Sequence, residues 1–133
     1  MTIKQENEME AFTLAIDLDG VLFKIYWGDE QGMVFDINKF GEVIPGARES
    51  MKALKRSGFY LIVHTCRTNP ELNRTENCSV AELQKIVELK LKEEGIPFDE
   101  VFAGVGKPVA AAYIDDRAIR FESWNDVLSK LGE

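Results

Sequence analysis

Short apolar runs alternate along this chain with segments whose apolar residues recur at helical spacing. The runs of strand length are 11–16, 59–65, 98–103 and 109–114. The segments with helical spacing are 46–57, 80–94 and 124–131. Strands that alternate with helices imply right-handed β-α-β units. The pattern therefore predicts a single α/β domain over 1–133, with a doubly wound, Rossmann-like and mostly parallel sheet and helices on both faces.

Local signals support the predicted helix ends. Ser79 with Glu82 three residues later forms a capping box, and Ser123 with Asp126 resembles a second N-terminal cap. Gly58 stands where a helix C′ glycine is expected, directly before the second apolar run. These signals place helix boundaries within the alternating pattern.

Two segments lie outside this alternation. Residues 1–10 are polar and acidic and read as a frayed lead-in. Residues 21–44 contain two apolar runs on either side of the polar turn 28–32, which predicts a hairpin. We expect this insertion to form a small flap beside the end of the first strand.

The charge and the cysteine content narrow the class of protein. Sixteen Lys and Arg against 23 Asp and Glu give a net charge of −7, which argues against general nucleic-acid binding. Two cysteines without a C-x-x-C spacing do not indicate a disulfide framework. The polar start resembles no signal peptide, and no apolar run has the length of a membrane span. The expected location is the cytoplasm, with no membrane partner.

Polar residues follow three of the predicted strands at the point where each strand ends. Asp17 and Asp19 follow the first, Thr65 ends the second, and Asp115 with Asp116 follows the last. Parallel strands share a carboxyl edge, and ligands bind in the crevice beyond it. Carboxylates held close together repel each other, and a hard cation such as Mg²⁺ would relieve that repulsion. The sequence thus predicts a Mg²⁺ site at this edge.

Four motifs in this order resemble those of the haloacid dehalogenase-like (HAD) phosphohydrolases. Asp17-Leu18-Asp19-Gly20-Val21 is similar to the first, Thr65 to the second, Lys107 to the third, and Asp115-Asp116 to the fourth. The resemblance covers roughly residues 12–121. It implies a HAD-like fold and hydrolysis of phosphomonoesters with Mg²⁺ as cofactor.

The resemblance also implies a role for each motif residue. Asp17 would be the nucleophile that forms an aspartyl-phosphate, and Asp19 the general acid and then the base. The metal would be bound by Asp17, by the backbone carbonyl of Asp19, and by Asp115 and Asp116. Either member of the last pair could be the direct ligand.

The resemblance further implies residues that bind the phosphoryl group. Thr65 would donate a hydrogen bond to it and Lys107 would neutralise its charge. Cys66 and Arg67 follow Thr65 directly and complete the candidate substrate-binding set. Arg67 is open to two readings, a substrate contact or a surface ion pair. Cys66 lacks an evident activating base and His64 reads as a packing residue, so neither is assigned a catalytic role.

The segments that follow the first and the second motif are too short for a cap domain, so the chain resembles a capless member of the family. An open crevice suits a bulky phosphorylated substrate, although a small one is also compatible, and a homo-oligomer could shield it. Two alternatives stay open. A receiver-like signalling domain uses similar residues in a different order, and a catalytically weak HAD scaffold could serve as a binding module.

Overall fold

A computed structural model describes residues 12–28, 32–33, 37–69, 79–104 and 106–133. The predicted lead-in 1–10 and residues 70–78 of the predicted polar loop 66–78 lie outside the described residues. Within the described ranges, none of the helices combines the length and the apolar character that a bilayer crossing requires.

A four-stranded parallel sheet forms the centre of the fold. Its strands stand in the order β5 (Glu100–Val101), β4 (Tyr60–His64), β1 (Thr13–Asp17) and β6 (Ala112–Ile114). The chain moves outward from β1 to β4 and β5 and then returns to place β6 on the other side of β1. Such a reversal opens a crevice at the carboxyl ends of the strands. The small α/β architecture agrees with the prediction.

The strand register determines which residues meet at this edge. Along β4 the pairing runs from Thr13 opposite Tyr60 to Asp17 opposite His64. On the other side, Ile16 is paired with Ile114, the last residue of β6. Asp17 therefore has the ends of both β4 and β6 beside it.

Two helices pack on one face of the sheet. Helix α1 (Ala47–Arg56) connects β1 to β4, and helix α2 (Val80–Glu93) connects β4 to β5. The buried core that they share with the sheet includes Leu14, Ile16, Met51, Leu61, Val63, Val87 and Leu91. The capping box of Ser79 and Glu82 is present at the start of α2, as predicted. This packing holds β1 and β4 in fixed positions.

The inserted segment 21–44 is closed at its base by backbone hydrogen bonds. Lys24 N–H donates to the Glu42 carbonyl at 2.7 Å, and Ile44 N–H donates to the Leu22 carbonyl at 2.9 Å. Farther out, strand β2 (Trp27–Gly28) pairs antiparallel with β3 (Gly32–Met33). The pairing agrees with the predicted hairpin, whose turn 29–31 lies outside the described residues.

Helix α3 (Trp124–Lys130) differs from the prediction in its packing. Ser123 caps it as predicted, with its hydroxyl accepting from Asp126 N–H. In the described part of the chain, however, the core cluster draws on α1 and α2 but not on α3. Trp124 and Leu128 remain 70% and 46% exposed. Within the described ranges, helices contribute to the core cluster on one face of the sheet alone, so helices over both faces stay a prediction.

Candidate active site

Three carboxylates converge at the carboxyl edge of two neighbouring strands. Asp17 ends β1, and Asp115 and Asp116 directly follow β6. Each offers an oxygen, and these oxygens all lie within 4.8 Å of one another. The parallel pairing of β1 with β6 produces this convergence, because it joins residues almost one hundred positions apart in the chain.

Local backbone geometry supports the cluster. Arg117 N–H donates to Asp115 Oδ1 at 2.8 Å, which orients that carboxylate. Gly20 adopts a φ of 94°, a conformation that favours glycine. A Cβ at this position would also collide with the Asp116 carboxylate. Gly20 therefore allows both the turn after β1 and the close approach of Asp116.

The environment of Asp17 changes its protonation. Burial, with further contributions from the charges of Asp115, Asp116 and Asp19, raises the pKa of Asp17 to about 7. A hydrogen bond at 2.9 Å from Leu18 N–H to Asp17 Oδ1 acts in the opposite direction. A cation bound beside this carboxyl would favour its ionised form and lower its pKa.

Asp19 lies outside the carboxylate cluster because Arg67 holds its side chain. Arg67 Nε donates to Asp19 Oδ2 at 2.7 Å and Nη2 donates to Oδ1 at 3.0 Å. The Arg67 side chain is only 4% exposed. Of the two readings of Arg67, an ion pair is the one observed, and it is buried rather than on the surface.

Thr65 lies at the end of β4 and caps a short 3-10 turn, Cys66–Thr68. Its hydroxyl accepts from Arg67 N–H at 3.2 Å. Because a hydroxyl can accept and donate at once, this contact leaves the O–H proton for an acceptor in the crevice. Thr65 is buried, and it lines the same cavity as the three acids.

Lys107 is directed toward an aromatic ring. Its ammonium lies 3.9 Å from the centre of the Tyr113 ring, and Tyr113 in turn donates from its hydroxyl to the Pro108 carbonyl at 2.6 Å. Among the described residues that line the cavity, Lys107 is absent. Burial lowers the pKa of His64. The charge of Asp115 raises this pKa, and the charge of Lys107 lowers it. The structure does not bring Lys107 into the acid cluster.

The cavity in front of the acids has a volume of about 770 Å³. Asp17, Asp19, Thr65 and Cys66 are among its lining residues, and so are Asp115, Asp116, His64 and Phe102. His64 packs edge-to-face on Phe102 with ring centres 5.8 Å apart, as a packing residue would. Partial burial, followed by the charges of Asp19 and Asp17, raises the pKa of the Cys66 thiol. A protonated thiol is a poor nucleophile.

Comparison with protein-family models, curated proteins and solved structures finds no match. The function must therefore be inferred from the site itself.

The donor set of the three acids fits a hard divalent cation. Carboxylate oxygens are typical ligands of Mg²⁺, and oxygens on opposite sides of one such ion are about 4 Å apart. The carboxylate oxygens of Asp17, Asp115 and Asp116 lie within 4.8 Å of one another, which is close to this spacing. A cation held by these three residues would still face the open cavity, where a substrate oxygen could complete its coordination.

Two features of the site went beyond the sequence interpretation. The bidentate pairing of Arg67 with Asp19 brings the 3-10 turn beside the residues that follow β1, and the sequence carries no local signal for it. The contact of Gly20 with Asp116 has no signal in the sequence beyond the glycine itself, which permits a turn. Both features link residues far apart in sequence.

Proposed function

We propose that this protein is a Mg²⁺-dependent phosphomonoester hydrolase that works through an aspartyl-phosphate on Asp17. The observation that carries the proposal is the convergence of the Asp17, Asp115 and Asp116 carboxylates on one cavity. The resemblance of the four motifs to HAD phosphohydrolases adds support. Asp17, Asp115 and Asp116 would hold the ion, which offsets the repulsion between a carboxylate nucleophile and a phosphate dianion.

The proposed reaction has two steps. An Asp17 oxygen attacks phosphorus, a new P–O bond forms, and the ester P–O bond breaks while Asp19 donates a proton to the departing oxygen. Water then attacks the same phosphorus and Asp19 accepts its proton. This second step releases inorganic phosphate and restores Asp17.

Three further groups would assist this chemistry. The Thr65 hydroxyl would donate to a phosphoryl oxygen, since its own oxygen already accepts from Arg67 N–H. Lys107 would have to leave the Tyr113 ring to neutralise charge on the phosphoryl group. To carry a proton, Asp19 would have to give up one of its two hydrogen bonds from Arg67, while the other would keep the carboxyl in position.

A panel of phosphomonoesters tests the proposal directly. Nucleotides, sugar phosphates, phosphopeptides and p-nitrophenyl phosphate are assayed with Mg²⁺ and with EDTA. Turnover of at least one of them should need Mg²⁺, and Asp116→Asn should raise the Mg²⁺ concentration for half-maximal activity. Glu49→Gln, which removes an exposed negative charge on α1, is the matched control. Full turnover in EDTA, or no turnover with any ester, would contradict the proposal.

A scaffold that binds a phosphorylated ligand without turnover is the second candidate. It is favoured by the position of Lys107 over Tyr113 and by the engagement of Asp19 with Arg67. The same panel separates the two functions. Mg²⁺-dependent binding of a phosphate ester without release of phosphate would support the scaffold.

A further inference from the structure

Arg67 connects two parts of the chain that meet beside the acid cluster. On one side its guanidinium forms the bidentate ion pair with Asp19. On the other side Nη2 donates to the Lys39 carbonyl at 2.7 Å, and the guanidinium carbon lies 4.2 Å from the centre of the Phe40 ring. Arg67 thus joins Asp19 to the returning arm of the inserted segment, residues 37–44.

The burial and the contacts of Arg67 make a direct contact with substrate unfavourable. Its side chain is 4% exposed, and with described residues alone the guanidinium makes three hydrogen bonds and an aromatic contact. A substrate phosphate that reached Arg67 would have to displace a buried carboxylate partner. Removing one partner of a buried ion pair leaves an uncompensated charge, which is strongly unfavourable.

The pairing also restricts what Asp19 can do. An ionised carboxylate only accepts hydrogen bonds, and here both oxygens accept from Arg67. The position of the Asp19 carboxylate is therefore determined by Arg67, and the position of Arg67 is determined in part by Phe40 and the Lys39 carbonyl.

We infer that Arg67 is a positioning residue, which couples the inserted segment 37–44 to the Asp19 carboxylate, rather than a substrate-binding residue. The inference rests on the proposed function, in which Asp19 transfers the proton. Movement of segment 37–44, for example when a substrate enters the cavity, would shift Arg67 and so change whether Asp19 is held or released. The inserted segment would then influence proton transfer without a catalytic side chain of its own.

A double-mutant cycle of Arg67→Lys with Asp19→Asn tests the inference. Lysine keeps the charge but cannot form the bidentate pair, so Asp19 loses its fixed position. Misplacement of a catalytic group by about 1 Å can cost about 10²-fold in rate. We expect Arg67→Lys to lower kcat by about 10- to 100-fold with little change in KM, and to cause no further loss in the Asp19→Asn background. Arg48→Lys, which alters an arginine paired with Glu94 away from the cavity, is the control.

The role of the inserted segment has its own variant. Phe40→Leu removes the ring beneath the guanidinium while keeping an apolar side chain. It should lower kcat in the same direction but less than Arg67→Lys, and it should likewise have no effect in the Asp19→Asn background. If Arg67→Lys does not fold, this pair of variants carries the test. Wild-type kcat in Phe40→Leu would remove segment 37–44 from the coupling.

Each remaining outcome has a distinct meaning. A raised KM with unchanged kcat in Arg67→Lys would show a direct substrate contact and overturn the inference. Losses that multiply in the double variant would show that Arg67 acts independently of Asp19, which also overturns it. A wild-type protein that hydrolyses no phosphomonoester would overturn the proposed function and this inference with it.

Discussion

The ionised form of the Asp17 carboxyl is destabilised by its surroundings in the folded protein. Its burial and the neighbouring carboxylates raise its pKa to about 7, from an ordinary value of 3.8. At neutral pH about half of the metal-free molecules therefore keep a proton on Asp17 that a free aspartate would have lost. A divalent cation bound to Asp17, Asp115 and Asp116 would offset the repulsion among their carboxylates. The arrangement that destabilises the ionised form of Asp17 would therefore favour binding of a cation.

The raised pKa predicts a pH dependence of stability. Between pH 4 and pH 7 the native state binds more protons at Asp17 than the unfolded state, so this contribution to stability is present at low pH. It is lost as the pH rises through the folded value of about 7. In metal-free buffer, the unfolding free energy of Asp17→Asn should therefore rise relative to that of the wild type as the pH increases from 4.5 to 8. Because Asp17 is partly open to solvent, we expect a change of about 1–2 kcal/mol.

Urea unfolding of both proteins across this pH range, in buffer with EDTA, measures the difference. Titrating groups that do not interact with Asp17 are common to the two proteins and cancel in the comparison. A difference in unfolding free energy that stays constant with pH would show that the pKa of Asp17 is not raised in the folded state.

At the level of secondary structure, the connection from β5 to β6 decides where Lys107 can act. In the structure the Lys107 ammonium lies over the Tyr113 ring, outside the described lining of the cavity. A role in charge neutralisation requires Lys107 to leave the ring, by rotation of its side chain or by movement of the connection. Gly106, with a φ of 88° and open space where a Cβ would lie, directly precedes Lys107 and is suited to movement of the connection.

Lys107→Ala tests whether this movement matters. If Lys107 stabilises the transition state, its removal should lower kcat by about 10²–10³-fold while the far-ultraviolet circular dichroism spectrum is unchanged. Lys52→Ala, on the exposed face of α1, is the matched control and should keep wild-type kcat. Wild-type kcat in Lys107→Ala would make Lys107 a surface residue and favour a site that works without it.

The sequence predicted the elements well where their signals are local. The capping box at Ser79, the cap at Ser123 and the strand ends at Asp17 and Thr65 depend on residues within a few positions of one another. The packing of α3 was not predictable in this way, because helical spacing indicates an apolar stripe but not the surface that would cover it. The exposed Trp124 and Leu128 show this difference.

The part of the site that follows from strand topology was predictable from the sequence. Once the strands are parallel, Asp17 and the pair Asp115 and Asp116 must lie at one edge of the sheet. Strand order then decides that β1 and β6 are neighbours. The pairing of Arg67 with Asp19, in contrast, depends on side-chain directions that only the packed structure defines.

For the chain as a whole, the fold places acids that are far apart in sequence next to one another. Residues 13–17 and 112–114 form adjacent strands, and the polar residues that follow them share one cavity. Among the described residues, the cavity is lined by strand ends, loops and the start of α2, and the inserted segment 21–44 contributes Ile25 to its wall. If the proposed function is correct, substrate selection depends on these loops.

Chemical trapping of the intermediate is the most direct test of the proposed chemistry. The Asp19→Asn variant is mixed with p-nitrophenyl phosphate and Mg²⁺, quenched in acid and reduced with borohydride, which converts an aspartyl-phosphate to homoserine. Peptide mass spectrometry should then find homoserine at position 17 and aspartate at positions 115 and 116, with no conversion when EDTA replaces Mg²⁺. Release of p-nitrophenol with Asp17 left unmodified, or homoserine at any other position, would contradict the proposal.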